Sequence, residues 1–395
     1  MYGPRAQNLL ALLADHIQRG VRPCRTDIIE SLIAASRAKT PGIDSREKLI
    51  NLAWMLLGQH ACPQLQIDVA HQRSVLMRLR GDIRGSARII QDLLSQAPPA
   101  ALAHILGPLH VSQAKNYAYN FRFSEAHSEA KKYTPTHLPE GQPDLLWDHI
   151  YGVGRILRGE GRFEEARRCF ELCRNAPALA ESRRLLIQSA TADLYCELDY
   201  QQSQRYCMGA LESTPSMSLL LLARDWLTVE VQALHPSSRL CSKGLRRVLL
   251  SLVEIQIRLG CYDEARYRIS QVLGIYDSLA APDIVDRLGH VRALIASARI
   301  SSLEDAEIVW SDALRWNRLY NPLEEDVFTC GVIYMYMCLV RHKLGNISGS
   351  RECLEKAQQV FKREKRQFLI PGVGTYLVNF VVNEVQTIAG WTCGV

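Results

Sequence analysis

Two pairs of carboxylates are the first residues in this sequence whose type and spacing could do chemistry. Asp193 and Glu197 stand four residues apart, and Asp283 and Asp286 three apart, spacings that place both members of a pair on one face of a helix. Such a pair can divide general acid and base duties or hold a divalent cation. Neither pair belongs to an Asp-Asp-x-x-Asp type cluster, and helices often carry paired carboxylates on solvated faces. A solvated face is therefore the expectation for both. Cys169 and Cys173 also lie one turn apart, but Cys-x-x-Cys and His-x-x-x-His are absent, so zinc spacing is missing and no metal site is expected. His149 beside Asp148, and His71, are the histidines best placed for a ligand or base role; a structural role is expected for each. The Gly-x-Gly-x-x-Gly, Walker and Gly-x-Ser-x-Gly patterns are missing, so no cofactor is expected. Gly372-Val373-Gly374 suits a loose helix start better than a phosphate cradle. No catalytic motif is recognisable, which leaves open whether the chain is an enzyme.

The elements that would position these side chains are helices. At 395 residues the chain exceeds one ordinary domain, so two domains or a repeat array are the natural choices. Its 47% hydrophobic and 22% charged residues suit a folded soluble protein with an extended core. A net charge of +6, spread over this length, is too weak to argue for nucleic acid. Met1–Arg19 lacks an apolar signal core, and the most apolar stretches, Met217–Ala223 and Leu377–Val382, are too short to span a bilayer. Twelve scattered cysteines read as reduced thiols of a cytoplasmic or nuclear protein. Apolar residues recur at three- and four-residue spacing, broken by Gly, Pro or Asp every fifteen to twenty residues or so. That is the rhythm of short antiparallel helix pairs.

The clearest pair runs from Ile150 to Pro177. Gly154 and Leu157 lie on a first helix, Gly161 makes the turn, and Phe163, Ala166, Phe170 and Cys173 follow on a second. This pattern resembles the tetratricopeptide repeat. In that family small residues let paired helices approach, large ones fill the space between hairpins, and glycine ends the first helix in a left-handed conformation. The second helices of seven units start at Ile83, Phe123, Phe163, Tyr200, Tyr262, Leu303 and Ile347. Their spacings are 40, 40, 37, 62, 41 and 44 residues, longer than the family's usual ~34. The 62-residue step is expected to hold an extra helix around Met217–Leu234. Leu93 and Tyr133 are larger than the small residue the pattern wants.

The resemblance implies an all-α fold, a right-handed α-α superhelix or TPR-like solenoid of about seven hairpins with helical caps. Residues 1–63 are read as an N-terminal helical cap with helices at Met1–Arg19, Thr26–Ala38 and Arg46–Gly58. Residues 64–361 carry the repeats. Residues 362–395 are read as a capping region whose helix spans Thr375–Ala389, because an array needs atypical ends.

In tetratricopeptide arrays the first helix of each hairpin lines a concave groove. By resemblance the lining here is His71, Arg78, Lys115, Tyr151, Arg155, Arg158, Gln188 and Tyr195, with Arg247 and Glu254. That surface is basic with aromatic patches and suits an acidic or carboxylate-bearing segment. The expected function is therefore a protein-interaction scaffold holding a partner protein or acidic peptide, with a small-molecule ligand as an alternative and without membrane or nucleic-acid contact. Reversing Arg155 and Arg158 to Glu is expected to abolish partner capture without lowering the melting temperature. The chain also looks like long-unit tetratricopeptide proteins of filamentous fungi, whose genes can accompany specialised-metabolite pathways. That likeness implies the alternative of an accessory cyclase or isomerase with a pocket enclosed by the superhelix.

Overall fold

Helix starts and stops in this chain follow local chemistry. Prolines, whose missing N–H costs nothing in a first turn, open two helices at Pro63 and Pro143. Acidic residues sit in the first turn of others, as Glu164–Glu165, Asp263–Glu264 and Glu304–Asp305, where they complement the helix dipole. The structure, a computed structural model, describes residues 25–37, 42–57, 63–96, 103–120, 122–133, 143–176, 181–207, 218–233, 243–279, 282–320 and 327–364, with 381, 384, 385 and 387 near the C-terminus.

Sixteen helices and no strand occur among the described residues. They are α1 (Arg25–Arg37), α2 (Ile43–Leu56), α3 (Pro63–Arg80), α4 (Ile83–Gln96), α5 (Ala103–Tyr119), α6 (Phe123–Lys131), α7 (Pro143–Gly159) and α8 (Phe163–Arg174). Then follow α9 (Glu181–Cys207), α10 (Ser218–Ala233), α11 (Lys243–Arg258), α12 (Tyr262–Asp277), α13 (Ile284–Arg299), α14 (Leu303–Tyr320), α15 (Val327–Lys343) and α16 (Ile347–Glu364). Odd-numbered helices are the first members of hairpins and even-numbered ones the second. The expected helix at Met1–Arg19 lies outside the described residues, as does most of Thr375–Ala389.

The chain divides into two compact units. One comprises residues 1–120, 128–134 and 280–285, the other 121–127, 135–279 and 286–395, so the boundary passes through α6. In the first unit α1 packs on α2 and α3 on α4, over a core that includes Ile29, Ile33, Ile50, Leu65 and Val69. In the second, α7 packs on α8, α9 on α10 and α11, α11 on α12, and α15 on α16. Its core runs from Phe163 and Phe170 through Leu194 and Leu252 and, in a second cluster, to Trp310 and Met335.

The hairpin chemistry is as the spacing predicts. Gly81, Gly161, Gly260 and Gly345 all take positive φ, between 75° and 97°, where a side chain would be strained. At Gly161 the turn closes with Gly161 N–H donating to Arg158 O and Arg162 N–H to Leu157 O, the two bonds of a Schellman cap. Ser86, Ala126, Ala166, Ala265, Ala306 and Ser350, the small residues one turn into each second helix, are all buried. Gly154 is needed for close approach, since a Cβ there would lie 2.7 Å from Phe170 Cε1. The oversized Tyr133 is accommodated by Gly107 on α5, where a Cβ would fall 2.2 Å from the Tyr133 ring.

Two expectations need correction. The second helix of the fourth hairpin does not begin at Tyr200: α9 runs unbroken from Glu181 to Cys207, and its partner is α10. The physical reason is visible in Glu197-Leu198-Asp199-Tyr200, which offers no glycine to leave the helical conformation. The helix near Met217–Leu234 is thus the missing second member, not an insertion. Large residues opening second helices are also not uniformly interior. Ile83 and Phe163 are buried, whereas Tyr262, Leu303 and Ile347 are exposed at the surface end of their hairpins.

Candidate functional site

First helices of the second unit carry charged side chains that meet one another rather than water. Asp193 on α9 is the centre. Arg158 on α7 donates from Nη1 to its Oδ2 at 3.2 Å. Arg292 on α13 donates from Nη2 to Oδ1 at 2.8 Å and from Nη1 to Oδ2 at 3.2 Å. Ser251 on α11 adds a hydroxyl donor to Oδ1 at 2.8 Å. One carboxylate therefore joins four successive first helices. Burial alone would raise the Asp193 carboxyl, but Arg292 and Arg158 outweigh it and hold Asp193 well below the usual carboxylate range. The same pairing raises Arg292.

One turn further along α9 lies Glu197, only 3% exposed. Burial pushes its carboxyl up to about 8; Arg158 and Arg292 pull it down, while Asp193 and Glu254 push it further up. No described donor hydrogen-bonds to it. Its neighbours are already committed: Glu254 is paired with Arg299, and Asp199 with Arg258. Tyr336 on α15 is buried beside Arg299 and stacks on Trp310 with centroids 4.5 Å apart. A second buried pair, Arg246–Asp286 at 2.6 Å, links α11 to α13. Both carboxylate pairs singled out from the sequence are therefore interior and not on solvated faces. Asp283 is buried too and caps the Val285 amide at 2.9 Å.

The expected groove residues fall into two groups. Several are buried or bonded to neighbouring helices. Arg78 is 6% exposed and donates from Nη1 to Ser112 O and Asn116 Oδ1, stitching α3 to α5. His71 bonds the Ser112 hydroxyl at 2.7 Å; burial, with Arg78, Arg37 and Lys115, lowers its imidazole to about 3, so it is neutral at ordinary pH. Tyr195 is buried at 4% exposure against Trp226 of α10, which takes it away from any open surface. Gln188 donates to Glu230 of the same helix at 2.9 Å.

The others stay accessible. Lys115 is exposed on α5. Tyr151 is half-buried, with its hydroxyl accepting from Arg247 Nη1 at 3.1 Å. Arg155 is exposed, its guanidinium carbon 5.9 Å from the Tyr151 ring centre, and no described carboxylate pairs with it. Arg158 is only 19% exposed and belongs to the Asp193 cluster.

The cysteines offer little chemistry. Burial pushes Cys173 up to about 12, so it is a thiol at neutral pH. Among the described residues no group of three His, Cys, Asp or Glu side chains is placed to hold a metal ion, and no helix is long and apolar enough to cross a membrane.

No family model matches the chain, and no curated protein matches it. Solved structures do. The chain is similar to a Rap protein in complex with competence and sporulation factor, at 10% identity and a TM-score of 0.56, over 93% of this chain and 97% of that one. It is also similar to the apo form of the quorum sensor NprR from B. thuringiensis, at 11% identity and a TM-score of 0.50, over 90% and 96%. At such identities the likeness is one of fold. With the hairpins described above, it establishes a tetratricopeptide-like, all-α helical-repeat protein.

Proposed function

We propose that this chain is a protein-interaction scaffold that holds a partner protein or peptide along its first helices. The observation that carries the reading is Arg155: a solvent-exposed guanidinium on a first helix, lying against Tyr151 and without a carboxylate partner among the described residues. An arginine stacked on an aromatic ring is pre-organised to take a carboxylate in two parallel hydrogen bonds. Tyr151 is itself braced by Arg247. An acidic side chain or a free C-terminus is the group such a pair recognises. The fold supports the reading: stacked hairpins bury their cores against one another and leave a row of first-helix side chains for contact. A Rap protein of like fold is seen complexed with competence and sporulation factor. The seven described cysteines are free, which suits a reducing compartment such as the cytoplasm or nucleus.

The test is affinity capture from the native source with wild-type and Arg155→Glu protein, read by mass spectrometry. Arg158 is left alone, because reversing it would place a third carboxylate against Asp193 and Glu197 and lower the melting temperature. The expected outcome is loss of the captured partner with an unchanged melting curve. Equal capture by both proteins would overturn the proposal.

A further inference from the structure

We propose that the outer face of α2 docks an amphipathic helix of a partner protein, one whose apolar stripe is flanked by aspartates or glutamates. This face belongs to the first unit and Arg155 to the second, so the proposal stands apart from the scaffold reading.

Three large apolar side chains stand in the open within four residues of α2: Leu52 is 42% exposed, Trp54 48% and Met55 70%. A single exposed apolar residue is ordinary, but a contiguous group marks an interaction site. The packing side of α2 is already used, since Ile43, Ile50 and Ala53 are buried against α1 and α3. Lys48, Leu52 and Met55 follow one another at four and three residues, a ridge of the kind against which another helix packs. Lys48 is exposed at one end of that ridge. Arg73 of α3 is exposed too, with its guanidinium carbon 5.4 Å from the Trp54 ring centre. Neither cation has a carboxylate partner among the described residues. The two carboxylates of α2, Asp44 and Glu47, are both paired with Arg80. What the face offers is therefore apolar surface bordered by two uncommitted cations.

Charge decides among the possible occupants. Residues 1–24 of the same chain carry three arginines to one aspartate, and a second copy brings a net +6. Like charge sets both against Lys48 and Arg73. An anionic membrane attracts the two cations, but recognition of such surfaces takes clusters of about four to eight basic residues. An acidic amphipathic helix matches both parts of the face. Its apolar stripe covers Leu52, Met55 and the open part of Trp54, while its flanking carboxylates reach Lys48 and Arg73. Arg73 lies against the indole, which pre-organises its planar fork for a carboxylate.

The probe is a fluorescein-labelled peptide of about eighteen residues, five helical turns, with leucine on one face and glutamate on both flanks. It is titrated into the full chain and followed by fluorescence anisotropy. A twin peptide with lysine for glutamate keeps the apolar face and reverses the charge. The glutamate peptide is expected to bind about tenfold tighter than its twin, or more. Met55→Glu, at a position 70% exposed, should weaken it about tenfold to a hundredfold and leave the melting curve unchanged. Arg73→Glu should weaken the glutamate peptide and strengthen the lysine twin, a reversal that misfolding cannot produce.

Equal affinity for the two peptides, or glutamate-peptide binding untouched by both substitutions, would overturn the proposal. Three further results would overturn it by assigning the face to another occupant. A dimer in sedimentation that Met55→Glu dissociates assigns it to a second copy. Flotation with phosphatidylserine vesicles that Met55→Glu abolishes assigns it to a membrane. Proteolysis within residues 1–24 that quickens in Met55→Glu assigns it to the chain's own N-terminal segment. The scaffold reading is tested by capture with Arg155→Glu, and neither measurement bears on the other.

Discussion

Replacing Glu197 by Gln should stabilise the protein, and by an amount that grows with pH. The side chain is 3% exposed, and burial holds its proton to about 8 against an ordinary value of 4.5. A carboxyl raised in this way keeps its proton in the fold while the unfolded chain gives it up. Stability therefore falls as pH rises between the two values. Below 4.5 the penalty is absent, and above 8 it is complete. At about 1.4 kcal/mol for each pH step, the whole penalty is about 5 kcal/mol, of which about 3 kcal/mol is already present at neutral pH. Gln has nearly the same volume and does not titrate, so the variant escapes the penalty. Urea denaturation followed by far-UV circular dichroism, at about pH 5 and about pH 8, should show the advantage of Glu197→Gln growing by about 4 kcal/mol. His71 acts in the opposite sense: lowered to about 3, it contributes stability above 6.5 that is lost as pH falls. It does so equally in both proteins and cancels in the difference. Curves for wild type and variant that run parallel across this range would refute the reasoning, because they would mean that Glu197 titrates like a solvated carboxylate.

Asp193→Asn should destabilise by about 2–4 kcal/mol, somewhat less than breaking a fully buried pair, because Arg158 and Arg292 remain 19% and 28% exposed. Asp193 is depressed in the fold, so its contribution is present above 3.8 and lost as pH falls; the gap between variant and wild type in thermal melts should narrow in acid. Gly161→Ala should cost about 1–2 kcal/mol at a φ of 77°, whereas Gly152→Ala, in the middle of α7 with open space around its Cβ position, should be neutral or stabilising by up to about 1 kcal/mol. Equal effects of the two in a melting assay would argue against the Gly161 turn.

Much of the fold was legible because hairpin chemistry is local. A small residue and then a large one follow each second-helix start within about fifteen residues, and their spacing correctly places the start of α4, α6, α8, α12, α14 and α16, with a left-handed glycine before α4, α8, α12 and α16. The misread start at Tyr200 has the same origin. Asp199-Tyr200 imitates the acidic and aromatic residues of a second-helix start, but it lacks the left-handed glycine that precedes α4, α8, α12 and α16, and α9 runs on through it. The buried charges were not legible for the opposite reason. Arg292 and Asp193 are 99 residues apart, and Arg158 and Asp193 are 35 apart. Nothing within a helical turn of Asp193 distinguishes it from a solvated carboxylate.

Those long-range pairings change what the inner residues mean. Counted singly, His71, Arg78, Lys115, Arg155, Arg158 and Arg247 make a basic surface that invites an acidic partner. Paired, the sum is different: Arg78 is spent on Ser112 and Asn116, Arg158 on Asp193, Arg247 on the Tyr151 hydroxyl, and His71 is neutral. What a partner meets is the remainder, not the total. In the second unit that remainder includes Arg155, an exposed cation. A repeat protein reuses one helical position for both stitching and recognition, so composition alone overstates the charge it offers.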